Sequence, residues 1–127
     1  MLTADTVRFI IVHCSRTKPE EGDGFYIVDR KCRLRGCFSC GYHYVVGREG
    51  QVEEGRPLTE YGNHTYGFNK QSLGVCLVGM PGEYTKEQRA SLKALLEDLL
   101  KQYPHAKAVT HEELQPRFAD GCPGIRL

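Results

Sequence analysis

The chain has 127 residues, about the size of one domain and long enough to bury a core without covalent staples. Its 17 Lys and Arg against 16 Asp and Glu leave a net charge of +1. That balance argues against nucleic acid or an anionic membrane as the main partner, because both reward clustered positive charge.

No apolar run approaches the roughly 18 to 20 residues of a membrane span. The N-terminus MLTADTVRFIIVHCS lacks the basic segment, long apolar core and small-residue cleavage site of a signal peptide. Synthesis and folding in the cytoplasm are therefore expected. Without a secretory signal, the six cysteines (Cys14, Cys32, Cys37, Cys40, Cys76 and Cys122) read as thiols, metal ligands or core residues before they read as a disulfide framework.

Residues 7–14, VRFIIVHC, are β-branched and apolar almost throughout, which predicts a strand buried on both faces with His13 at its C-terminal end. In residues 25–36, FYIVDRKCRLRG, the apolar residues Phe25, Val28 and Cys32 fall at helical spacing and Gly36 supplies a stop. Tyr26 and Ile27 suit a strand equally well. YHYVV and QVEEGR flank the short connection GREG and predict a β-hairpin. Residues 72–79, SLGVCLVG, form another apolar strand between glycines.

The segment TKEQRASLKALLEDLLKQY carries the clearest pattern. Thr85 and Gln88 form a capping box, and Leu92, Leu95, Leu96, Leu99, Leu100 and Tyr103 lie along one helical face up to Pro104. A last strand, AKAVTH, is expected to deliver His111. Strands interleaved with helices predict a single α/β domain with a central mixed β-sheet covered by helices. The chain shows no internal repeat, low-complexity tract or linker.

Two strand ends thus carry His13 and His111, and Cys122 follows in a Pro-Gly turn. Two imidazoles and one thiolate, with a fourth position left to water, are what catalytic zinc requires, and both ligand types suit that metal. The same residues also read as strand-end histidines bonded to backbone and a small buried hydrophobe. The residues alone leave both readings open. CRLRGCFSC adds a C-x-x-C pair, read as reduced thiols or one disulfide, since three thiols there lack a fourth partner.

IIVHCSRTKP, CGYHYVVGREGQVEEGRPL, GNHTYGFNKQSLGVCLVG and HEELQPRFADGCPG, taken in order, resemble the successive motifs of the zinc-dependent N-acetylmuramoyl-L-alanine amidases, the type 2 amidase domain shared by phage endolysins and peptidoglycan recognition proteins. The likeness runs from about residue 7 to residue 124. It implies one Zn2+ per chain held by His13, His111 and Cys122. It further implies hydrolysis of the amide between N-acetylmuramic acid and L-alanine, with the Tyr42 hydroxyl steadying the attacking water or the oxyanion. His43 and His64 would face the substrate groove.

The resemblance is imperfect. Many relatives place Lys, Thr or Ser two residues before the cysteine ligand, where this chain has Asp120. Either Arg117 reaches in as the missing cation, or Asp120 acts as a base, or the enzyme is slowed. The strand SLGVCLVG carries Cys76 and Val78 where some relatives have a glutamate. The expected partner is peptidoglycan or a muropeptide, with no nucleic acid or membrane, acting as a monomer without a separate wall-binding domain and reaching the wall through a holin. Two other functions follow from the same resemblance: a peptidoglycan-binding module without activity, and a regulator of a phage RNA polymerase. A Cys-His hydrolase using Cys122 or Cys14 would instead need an imidazole to activate the thiol.

Overall fold

The computed structural model describes residues 1–127. The apolar run near the N-terminus forms β1 (Phe9–Cys14), which is flanked on both sides by parallel partners, β4 (Ser72–Leu77) and β5 (Lys107–Thr110). The hairpin forms as β2 (Tyr44–Val46) and β3 (Val52–Glu54), antiparallel to each other, and β2 lies parallel to β4 on its other side. The order β3-β2-β4-β1-β5 therefore makes a mixed five-stranded sheet, and β1 is covered on both faces as its composition requires.

Side chains alternate across the sheet and so divide the core in two. On one face, Ile10, Val12, Leu73, Val75 and Leu77 pack against Leu92, Leu96 and Leu99 of α2 (Lys86–Gln102). On the other, Val45, Cys76 and Val78 meet Ile27, Val28 and Cys32 of α1 (Gly24–Leu34). The helical reading of residues 25–36 thus prevails over the strand, because Ile27, Val28 and Cys32 bury one face of a helix. His13 alternates with Val12 and so projects to the α1 side.

The predicted capping box is present. Thr85 Oγ1 accepts from Gln88 N at 3.0 Å, and Gln88 Oε1 accepts from Thr85 N at 3.0 Å. Gln88 is fully buried, and its Nε2 donates to the carbonyls of Val46 and Val78 at 3.2 and 2.7 Å, tying the start of α2 to the ends of β2 and β4. The apolar face of α2 is narrower than predicted, since Leu100 remains 36% exposed.

One boundary moves. The strand expected to run through His111 stops at Thr110, and His111 is the first residue of a short helix, α3 (His111–Leu114). The cause is a second capping box: Thr110 Oγ1 accepts from Glu113 N at 3.2 Å, while Glu113 Oε1 accepts from Thr110 N at 3.0 Å. A further short helix, α4 (Pro116–Ala119), leads into the Cys122 turn. No helix is long and apolar enough to cross a membrane.

Candidate functional site

The C-terminal end of β1, the start of α3 and the segment after α4 meet at one edge of the sheet. They open onto a cavity of about 770 Å3 whose lining includes His13, His111, Cys122, Tyr42 and His64. The rings of His13 and His111 lie 4.5 Å apart, and the Tyr42 ring stands 5.2 Å from His13. Ligands in open α/β sheets bind beyond the carboxyl ends of parallel strands, and the end of β1 is such a position.

In both histidines the outer ring nitrogen is engaged and the inner one is free. His13 Nε2 lies 3.0 Å from Thr65 Oγ1 and 3.1 Å from His64 Nδ1. His111 Nε2 lies 3.1 Å from Gln115 Oε1. Nδ1 of each ring has no partner within the protein. Burial, then the neighbouring His64 and His111 rings, hold His13 well below the usual histidine range. Burial also lowers His111. Both rings are therefore neutral at pH 7, the form that carries a lone pair for a metal.

Cys122 sits in the turn against the end of β1. Its sulfur accepts from Cys14 N at 2.9 Å and lies 2.7 Å from Cys14 Sγ. The hydrogen bond with Cys122 draws the Cys14 thiol down to about 7, and the same bond together with burial pushes Cys122 up. Two neutral imidazoles and a cysteine sulfur bordering one cavity fit zinc in ligand type and number. The structure does not gather three His, Cys, Asp or Glu donors at ligating distance around a common point.

Tyr42 lines the cavity, and burial raises its phenol well above the ordinary value, so it stays a protonated donor. His64 is wedged against glycines: a Cβ at Gly74 would stand 2.5 Å from its Cδ2 and one at Gly62 2.4 Å. Burial, then the charge of His43, lowers His64 to about 3. Its Nδ1 lies 2.7 Å from Thr65 Oγ1, and its buried Nε2 has no partner. Asn69 Oδ1 accepts from both His64 N and Thr65 N at 3.0 Å and fixes this turn.

Three of the residues singled out in the sequence lie elsewhere. His43 is 1% exposed, and both ring nitrogens serve the main chain: Nε2 meets Glu60 O at 2.8 Å and Nδ1 accepts from Gly74 N at 3.1 Å. It is absent from the cavity lining and cross-links the sheet instead. Arg117 and Asp120 are exposed and also absent from that lining. Asp120 is the C-cap of α4 in a left-handed conformation (φ 49°), which turns the chain back toward Cys122. The cation that does line the cavity beside this turn is Arg16, whose Nη2 donates to Ala119 O at 2.7 Å and to Asp120 O. Sequence reasoning missed it, and only a basic residue just beyond a strand-end histidine hinted at it. All six cysteines are free, with Cys32 and Cys40 buried in the α1-side core.

The site belongs to an α/β domain in which the end of β1, the start of α3, the segment before β2 and the turn after α4 bring two imidazoles, a phenol and a thiol to one open groove. The N-acetylmuramoyl-L-alanine amidase family model matches residues 3–125. The endolysin of Escherichia phage T7 is 37% identical over 125 residues, covering 93% of this chain and 81% of that protein. An N-acetylmuramoyl-L-alanine amidase of Clostridium intestinale superposes with a TM-score of 0.80 at 26% identity, covering 98% of this chain and 82% of that one. Peptidoglycan recognition protein LE, solved with tracheal cytotoxin, a monomeric diaminopimelic acid-type peptidoglycan, shares the fold with a TM-score of 0.69 at 22% identity over 84% of this chain and 69% of its own. The chain belongs to the N-acetylmuramoyl-L-alanine amidase family. Its activity is hydrolysis of the amide that joins N-acetylmuramic acid to L-alanine in bacterial peptidoglycan.

Proposed function

We propose that this hydrolysis depends on one Zn2+ held by His13, His111 and Cys122, with Tyr42 as the donor to the developing oxyanion. The observation that carries the proposal is the pair of unpartnered Nδ1 atoms on neighbouring rings, each ring fixed through Nε2. Histidines that ligate a metal characteristically give their second nitrogen to an oxygen acceptor, and Thr65 Oγ1 and Gln115 Oε1 stand where such acceptors belong.

When bound, zinc acidifies a water from a pKa of 15.7 to about 7 and polarises the amide carbonyl. The remaining work falls to the protein. Tyr42, kept protonated by burial, can donate to the carbonyl oxygen as negative charge builds there. Such a donor contributes on the order of 3 kcal/mol to the barrier. His64 and Thr65 form the wall behind His13 and hold its ring in place. The open groove admits a muropeptide, and the place of action is the bacterial cell wall.

The test is metal analysis of the purified protein beside Cys122→Ser. One zinc per wild-type chain and a sub-stoichiometric content in the variant support the assignment. Equal contents in both would remove Cys122 from the ligand set.

A further inference from the structure

The groove is lined by three cationic side chains, Arg16, Lys31 and Arg35, and by no carboxylate. Two of the three are already engaged. Lys31 Nζ lies 3.0 Å from Glu21 Oε1, and Arg35 Nη2 lies 3.6 Å from Cys32 Sγ. Arg16 is held differently, by carbonyls rather than by an opposing charge.

A guanidinium carries five N–H donors, of which Nη2 has two. Both are used here, on Ala119 O and Asp120 O. The donors on Nε and Nη1 have no partner in the protein. The side chain is thereby anchored within three residues of Cys122 with its charge unneutralised, because the Asp120 carboxylate forms no ion pair with it.

The backbone points the same way. Arg16 and Asp120 are the two non-glycine residues with positive φ, at 55° and 49°, and they are joined by the bond from Arg16 Nη2 to Asp120 O. Side chains rarely tolerate that region, and when they do so the positions cluster at functional sites. Here two strained turns meet beside the groove.

We propose that Arg16 is a catalytic residue, its free Nε and Nη1 donors binding the carbonyl oxygen of the scissile amide as it becomes anionic. The inference rests on the zinc-dependent hydrolysis proposed above. In the reaction, water oxygen adds to the carbonyl carbon and the C=O electron pair moves onto oxygen. The pair then returns, the C–N bond breaks, and both protons of the water end on the leaving nitrogen. The products are a lactyl carboxylate and L-alanine with a free, protonated amine. Arg16 gains and loses no proton; it lowers the energy of the charged oxygen only while the charge exists, so its contribution belongs to kcat.

The experiment compares wild type, Arg16→Ala and the double variant Arg16→Ala with Asp120→Lys on purified peptidoglycan, recording kcat, KM and zinc content for each. Loss of an oxyanion donor lowers kcat by about 100- to 1000-fold. The expected result is a loss of that size in Arg16→Ala with KM and zinc content held, and at least tenfold recovery when residue 120 supplies the cation. An unchanged kcat in Arg16→Ala overturns the proposal. A loss of kcat that follows loss of zinc and is not recovered by Asp120→Lys also overturns it, since Arg16 would then only brace the turn. A wild-type protein that releases no stem peptide with a free L-alanine amine overturns the amidase function itself, a result the variants cannot mimic.

Discussion

The imidazoles of His13 and His111 lie 4.5 Å apart although they come from opposite ends of the chain. Parallel pairing of β1 with β5 in the register Val12 to Thr110 places the residue after each pair side by side. Replacing His13 or His111 with Ala should therefore abolish stoichiometric zinc binding and lower activity by more than about 100-fold, beyond the loss that a missing outer partner causes. Metal content and turnover, measured on the same samples, check this.

Thr65 is buried and touches both His13 and His64 through one hydroxyl. Thr65→Val keeps the volume and removes that oxygen. Zinc affinity should weaken by about 10- to 100-fold, and Thr65→Ser should restore it. Competition with a chromogenic chelator reads the affinity directly.

Tyr42→Phe removes a protonated donor and little else, since the ring keeps its place beside His13. The expected loss in kcat is about 100-fold, with KM nearly unchanged. A comparable rise in KM instead would assign the hydroxyl to ground-state binding.

Gln88 joins α2 to the ends of β2 and β4. Gln88→Ala leaves the Val78 carbonyl without a partner, while Val46 O keeps its bond from Val78 N, and should cost about 1 to 3 kcal/mol for the one buried group left unpaired. Urea unfolding should show a lower midpoint with an unchanged slope. Leu99→Ala, in the core on the same face of the sheet, should cost about 2 to 5 kcal/mol by leaving a cavity.

Much of this architecture was legible in the sequence where local pattern and tertiary burial agree. β1 and α2 follow from an unbroken apolar run and from a capped leucine face. AKAVT is β-like and points to a strand through His111, although Thr110 and Glu113 spell the capping box that ends it. His43 looked like a site residue, yet its nitrogens are consumed by Glu60 and Gly74, contacts that only the folded sheet creates. Arg16 is illegible in the sequence for the converse reason. Its left-handed backbone and its bonds to Ala119 and Asp120 depend on two segments far apart in sequence.

The most direct measurement is mass spectrometry of peptidoglycan digested by the protein stripped with a chelator, before and after zinc is returned. Stem peptides with a free L-alanine amine should be absent from the stripped sample and appear once zinc is restored. Equal release in both samples would contradict a zinc-dependent site at His13, His111 and Cys122.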